Sequence, residues 1–315
     1  MSILILAGEH DPSADAMVLA LQERETEVHR VDTAWFPAQL SISARLRGGR
    51  WVGNLRTEHH VIDLQAITAV WYRAPRSYQF HALNAVEERH ARTEAKYGLG
   101  GVLASLLVLW VNHPMRTAAA AYKPLQLVIG AIHGLRVPET LITNEADDVR
   151  EFAAEPTVTK MLGAVSIVED GRRKFAHTAV LTDADLADLH GVEHTTHQFQ
   201  RWVDKAHEAR VVVIGNRINA FTIHAGSDAG YVDWRTDYDT NSYAVAEPPA
   251  DVATGVRGML RELGLVYGAF DFVIGADGEW TLLELNPAGQ YGWLEHHTGV
   301  DLTGQLADLL MKGQP

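Results

Sequence analysis

The segment Tyr267–Asn286 constrains this chain more than any other. Two apolar runs flank Asp277-Gly278, the strongest short-range signal for a two-residue hairpin turn. With those two residues as the loop, Ala276 pairs with Glu279 and Asp271 falls directly opposite Glu284. Asn286, two residues on, points to the same side. Ala269, Val273, Trp280 and Leu282 complete that face, and Phe270, Phe272, Ile274, Leu283 and Leu285 form the other. The ribbon is thus apolar on both sides except for two carboxylates and an amide at one end. Burying unpaired carboxylates costs several kcal/mol each, so positive charge is expected between them. Hard oxygen donors without nearby His or Cys favour Mg²⁺ at Asp271, Glu284 and Asn286, shared with a phosphate chain. The competing reading is a paired carboxylate network in an ordinary hairpin.

With 315 residues the chain has length for two or three domains, and its 27 Lys+Arg against 40 Asp+Glu give a formal charge of −13. That balance argues against general nucleic-acid binding, which needs a basic face. Zero cysteines exclude disulfides and thiolate metal sites and accord with a cytoplasmic setting. Met1–Leu6 lacks a basic leader and reads as a strand, and the longest apolar run, Val102–Val111, is about half a membrane span. No membrane association is expected.

Ile3–Ala7, Glu27–Val31 and Ala69–Arg73 read as strands, with a helix opened by Asp11-Pro12-Ser13 and running to Leu21. Leu40–Leu46 and Arg50–Leu55 alternate around Gly48-Gly49 as a hairpin, and a long helix is expected from about Ala82 to Leu109. This β-α-β rhythm suggests a small open α/β domain over residues 1–113. A second unit, 114–195, carries a helix from Lys123 to His133 closed by Gly134, and a helix capped by Thr143. It continues with antiparallel strands at Thr157–Leu162, around Val165–Val168 and at Phe175–Leu181, joined by Asp170-Gly171. The last unit, 196–315, has strands at Gln198–Val203, Ala209–Ile214 and Arg217–His224, a helix at Ala250–Leu263, the hairpin, and a closing helix at Asp301–Met311.

A buried Mg²⁺ carboxylate site directs attention to cations. Lys160 lies between apolar neighbours in a strand, where a phosphate oxygen would partner it; an edge-strand lysine facing solvent is the plainer alternative. Lys123 opens a helix and can equally face solvent. Arg210 precedes the run Val211–Ile214 and can clamp a phosphoryl group or simply balance charge.

Taken in order, Lys123, Lys160, a hinge strand with Gln200, Glu208-x-Arg210, Asp271 and Glu284-x-Asn286 resemble the ATP-grasp ligase superfamily over roughly 112–287. The resemblance implies an ATP-grasp fold, α/β and α+β, behind a leading small open α/β (pre-ATP-grasp-like) domain. It implies that Lys123 and Lys160 contact ATP phosphates and that the main chain of Gln200, Trp202 and Val203 reads adenine. It places Glu208 near the ribose, Arg210 at the reacting phosphate, and Mg²⁺ on Asp271, Glu284 and Asn286. Arg201 departs from the glutamate many relatives carry after the hinge Gln. Members turn carboxylates into acyl phosphates and let a nucleophile displace the phosphate.

A narrower resemblance is to the ATP-grasp maturases of ribosomal peptides (graspetides, microviridin-like). It rests on Val70-Trp71-Tyr72-Arg73-Ala74-Pro75, Val111-Asn112-His113-Pro114, Lys123-Pro124-Leu125-Gln126-Leu127, Val137–Leu141 and Asp233-Trp234-Arg235. The family's double arginine is reduced here to Arg73-Ala74, with Arg76 as a substitute. This likeness implies a precursor peptide, leader plus acidic core, as partner, and a homodimer. Arg235 would meet phosphate or the substrate carboxylate, and Arg73 and Arg76 the acidic core. Strand-end or loop ion pairs are the plainer roles for Arg73 and Arg235. No general base stands out. Rival functions are an ATP-grasp ligase joining an amino acid to a small acid or protein tail, a nucleotide-binding scaffold, and a kinase. Gly98-x-Gly100-Gly101 has no strand before it, so close packing is expected there instead of a dinucleotide loop. His194, His197, His296 and His297 are unpatterned.

Overall fold

A computed structural model describes residues 2–163, 166–169, 172–175 and 177–313. The leading unit is built on a parallel sheet ordered Glu27–Val31, Ser2–Ala7, Ile67–Ala74, Leu109–Val111. Ser2–Ala7 is buried along its whole length, as a strand covered on both faces must be. Asp11 caps the helix Pro12–Glu23 by accepting from the Ala14 amide at 3.1 Å. The expected hairpin forms between Ser41–Arg47 and Arg50–Arg56, its turn at Gly48 and Gly49 with φ of +55° and +77°. The single helix expected from Ala82 to Leu109 is instead two, Ala85–Tyr97 and Leu99–Ala104, and Leu109 already belongs to a strand. Asn84 supplies the N-cap, and Gly98 breaks the run where three glycines in four positions lower helix propensity.

The central unit contains the helix Lys123–Ile132, ended by Gly134 at φ +79°. Its antiparallel sheet runs Ala179–Val180, Thr157–Lys160, His197–Arg201, Thr140–Thr143. The strand His197–Arg201, grouped from sequence with the last unit, therefore lies inside this sheet. A separate hairpin pairs Ser166–Glu169 with Arg172–Phe175; Val165 and the Asp170-Gly171 link lie outside the described residues.

The last unit is a five-stranded antiparallel sheet, Ser242–Ala246, Arg217–His224, His207–Ile214, Tyr267–Ile274, Trp280–Asn286. The helix Ala250–Leu263 covers one face, where Val256, Met259 and Leu260 pack against Phe270, Phe272 and Leu285. Each such fully buried side chain contributes about 1.5–3 kcal/mol. The other face shares a core with the leading unit, joining Val212, Ile214 and Ala269 to Ile5, Trp71, Leu306 and Leu310.

The defining hairpin differs from expectation in two compensating ways. Its turn has three loop residues, Ala276, Asp277 and Gly278, closed by Gly275 N–H donating to Glu279 O at 3.0 Å, with Gly278 at φ +83°. Phe272 then pairs with Leu282 and Ile274 with Trp280, one residue out of the expected register. A bulge at Leu283 restores it, and Asp271 lies opposite Glu284 after all. Trp280 and Leu282 consequently join Phe272 in the core, with the Phe272 and Trp280 rings 5.5 Å apart, and do not share the carboxylate face.

Candidate active site

Asp271 sits mid-strand and 1% exposed, opposite Arg210 on one neighbouring strand and Glu284 on the other. Sheet pairing thus puts a cation and two carboxylates in one row. Arg210 Nη1 donates to Asp271 Oδ1 at 2.7 Å. Asn286 Nδ2 donates to Asp271 Oδ2 at 3.3 Å and to Glu284 Oε1 at 3.4 Å, so the three expected metal-ligand side chains converge. Arg235 Nη1 donates to Glu284 Oε1 at 3.0 Å, and its Nη2 lies 3.8 Å from Asp271 Oδ2. From the start of its helix Lys123 reaches Glu284 Oε2 at 2.9 Å and the Met161 carbonyl at 2.8 Å.

Electrostatics separate the two carboxylates. Burial pushes Asp271 up, against the pull of Arg210 and Arg235. Burial opposes ionisation of Glu284 as well, but Arg235, Lys123 and Lys160 outweigh it and hold that carboxyl well below its ordinary range. Burial lowers Lys160, which Glu284 raises only in part. Glu208 is pushed up by burial although Lys205 Nζ stands 2.5 Å from its Oε1.

Beside the ion cluster a small cavity is lined by Val158, Lys160, Gln200, Val203, Val273 and Leu283. Gln200 donates to Thr140 Oγ1 at 3.0 Å, while its buried Oε1 has no partner among the described residues. The Trp202 amide is already donated to the Pro156 carbonyl at 2.8 Å, so this amide is not free to read a base. Arg201 points away and stacks on Phe152, 3.9 Å from the ring centroid, with Glu139 and Glu155 nearby.

Arg73 is 4% exposed at the seam between the leading and last units. Its Nη1 donates to Ala288 O at 2.9 Å and its Nε is 3.4 Å from Asp11 Oδ2. Ser13 Oγ donates to Gln290 Oε1 at 3.1 Å, and Tyr267 Oη donates to Gly289 O at 2.6 Å. The loop so fixed returns the Gln290 carbonyl to Arg210 Nη2 at 3.1 Å. A Cβ on Gly289 would stand 2.6 Å from that same nitrogen, so the close approach requires glycine. Arg76 is half-exposed and bound to Asp32 and, at 3.1 Å, to Glu9.

Sequence reasoning missed several residues here. Lys205 sits 5.6 Å and 5.3 Å from the Trp202 and Tyr231 ring centroids as well as on Glu208. Its only signal was a lysine three residues before a glutamate. Asp233 accepts from Arg235 Nε at 3.1 Å and from the Thr178 amide at 3.1 Å. Asn112 accepts from the amides of Val266 and Tyr267 and donates to the carbonyls of Tyr267 and Pro287. Gln126 bonds both ways to the Leu285 backbone. Asn112, Gln126 and Asp233 lay inside motifs singled out from sequence, but the partners of Asn112 and Gln126, about 155 residues away, and the Thr178 partner of Asp233 left no sequence trace.

The donor set fits a hard cation: Mg²⁺ is held by one or two carboxylates plus substrate phosphates, and Asp271 and Glu284 supply the carboxylates, with Asn286 able to add its oxygen if the amide, whose Nδ2 faces them here, is turned over. The lysines, the cavity and the unpartnered Gln200 oxygen fit a nucleotide beside it.

Residues 2–118 match the family described as the MvdD pre-ATP grasp domain. The RiPP-associated ATP-grasp ligase of Chryseobacterium gregarium, solved with ADP and a leader and core peptide, is 27% identical at TM-score 0.91, covering 100% of this chain and 97% of its own. Macrocyclase MdnC of Microcystis aeruginosa MRC, bound with precursor peptide MdnA, is 25% identical at TM-score 0.86, covering 99% of each. D-cycloserine synthetase DcsG, 16% identical at TM-score 0.62, shares the fold over the whole length of both chains. A comparison with curated proteins found no match. Among the described residues no helix is long and apolar enough to cross a membrane.

Proposed function

We propose that this ATP-grasp protein, similar along its whole length to the maturases of ribosomal peptides, is a ligase that crosslinks side chains of a precursor peptide. An Asp or Glu side chain of the peptide is activated by ATP as an acyl phosphate. A Thr, Ser or Lys side chain of the same peptide then attacks, giving an ester or amide ring with release of ADP and phosphate. The observation that carries this reading is the ion cluster in which Lys123, Arg210 and Arg235 surround Asp271 and Glu284. Three cations on two buried carboxylates is an arrangement ready to exchange partners with phosphate oxygens.

In this reading Lys123 and Lys160 hold the phosphate chain, and Gln200, the Trp202 carbonyl and Val203 meet the base. Glu208, with Lys205, stands at the ribose. Asp271, Glu284 and Asn286 hold Mg²⁺, which when bound neutralises phosphate charge and so lowers the barrier to carboxylate attack. Arg210 and Arg235 face the transferred phosphoryl group, where planar guanidinium groups match its oxygens. Arg76, half-exposed, can reach the acidic core of the peptide; Arg73, buried, acts through the 287–290 loop.

The test is intact mass of an acidic, Thr-containing peptide after incubation with enzyme, ATP and Mg²⁺. Loss of one water per bond, absent with Glu284→Gln, is the expected result. A mass gain would point to residue addition or phosphorylation. An unchanged mass with every peptide, despite ATP binding, would favour a small-molecule ligase, a chemistry the shared fold also permits.

A further inference from the structure

Ring closure requires that the attacking hydroxyl lose a proton, and the buried carboxylates of the site are poorly suited to take it. Among the described residues each is held by a cation: Asp271 by Arg210, Glu284 by Lys123 and Arg235, Glu208 by Lys205, and Asp233 by Arg235. Each of these carboxylates is thus already engaged by a cation and turned toward it, not toward an incoming hydroxyl. Arginine cannot serve, and Lys123 is engaged as a cation on Glu284.

One imidazole stands at the rim of this cluster. His177 Nδ1 lies 3.9 Å from Asp233 Oδ2, the oxygen that also accepts from the Thr178 amide at 3.1 Å. The other oxygen, Asp233 Oδ1, accepts from Arg235 Nε at 3.1 Å, and Arg235 continues to Glu284 at 3.0 Å. The imidazole is therefore three contacts from a proposed metal ligand without touching one. Its side chain is 44% exposed while that of Asp233 is 6% exposed, so a buried carboxylate backs an accessible ring. The charged groups of the facing segment are Asp233 and Arg235, with Lys205 3.4 Å from the Val232 carbonyl next to them. With Nδ1 turned to Asp233, Nε2 is left for an incoming group. Imidazole is a common proton acceptor in catalysis, and here it stands in front of a buried carboxylate.

Resting on the ligase reading, we propose that His177 is the general base of the second half-reaction, taking the proton of the attacking Thr or Ser hydroxyl of the peptide, with Asp233 orienting it. The hydroxyl oxygen bonds to the acyl carbon as its proton passes to Nε2. The carbon–oxygen bond to the phosphoryl group breaks, and phosphate leaves with the electron pair. The imidazolium then returns its proton to solvent.

The experiment compares wild type, His177→Ala and His177→Gln with ATP, Mg²⁺ and an acidic, Thr-containing peptide, with and without hydroxylamine. Hydroxylamine captures an acyl phosphate as a hydroxamate without help from a base, so it reports the first half-reaction alone. Both variants are expected to form hydroxamate at the wild-type rate while ring closure falls about 100-fold or more, the contribution of a positioned base. Ring closure at the wild-type rate would overturn the assignment. So would equal loss of hydroxamate and ring, which would make His177 part of the ATP half-reaction. A wild-type enzyme yielding neither product overturns the ligase reading and this proposal with it; wild-type hydroxamate with unaffected closure in the variants overturns only the role of His177.

Discussion

At the scale of single residues, the site is decided by which cation each carboxylate holds. Glu284 serves both Lys123 and Arg235, so Glu284→Gln removes the charge that organises them. ADP release is expected to fall by about 100-fold or more with the melting temperature little changed, by analogy with loss of one preorganised charge contact. Near-normal release would rule out the metal assignment. The two arginines expected at the peptide can be separated kinetically. Arg73→Lys keeps the charge but not the fork that reaches both Ala288 and Asp11, so kcat should drop about 10-fold at a nearly constant KM for peptide. Arg76→Ala should do the reverse and raise that KM. The same pattern for both variants would mean that they share one role.

Among elements, the sheet strands dictate where chemistry can sit. Gly278 closes the three-residue turn at φ +83°, a conformation a β-branched residue resists by about 1–2 kcal/mol. Gly278→Val should lower the denaturation midpoint accordingly while leaving Asp271 opposite Glu284, since the paired strands on either side of the bulge hold that register. On the neighbouring strands the His207 and His224 rings lie 4.7 Å apart. Burial, with His224 beside it, holds His207 below the ordinary imidazole value of 6.5. The fold thus favours the neutral ring, and its contribution is present above pH 6.5 and lost as pH falls through the lower folded value. Stability measured between pH 8 and 5 should decline on the acid side, and His224→Gln should flatten that decline. An identical profile in the variant would show that other groups dominate.

For the whole molecule, the leading unit and the five-stranded sheet are one packed body. Ile5, Met17 and Trp71 share a core with Val212, Ile214 and Leu306, and the helix Leu302–Lys312 lies against Pro12–Glu23, with Arg24 3.4 Å from Asp308. Removing residues 1–113 would open that core and free the loop that steadies Arg210. A fragment of residues 114–315 is expected to be insoluble or to lack a cooperative melting transition by circular dichroism. A soluble fragment with a sharp transition would show that the last unit closes its core alone.

Local pattern was enough to find most strands and several helix caps, because side-chain alternation, Gly in turns and Asp or Asn at N-caps act over a few residues. It also brought forward Lys123, Lys160, Arg210, Asp271, Glu284 and Asn286, whose types are costly to bury without a shared purpose. The convergence of those side chains was decided by strand pairing, which sets Arg210, Asp271 and Glu284 in one row. Alternation marks His197–Arg201 as a strand but carries no information about which sheet receives it. The opposition of Asp271 and Glu284 followed from a two-residue turn in the sequence and from a longer turn plus a bulge in the molecule. Asn112, Gln126, Lys205, Asp233 and His177 acquire their roles only from partners brought close by the fold, because a hydrogen bond or ion pair depends on distance in space and leaves no periodic trace along the chain.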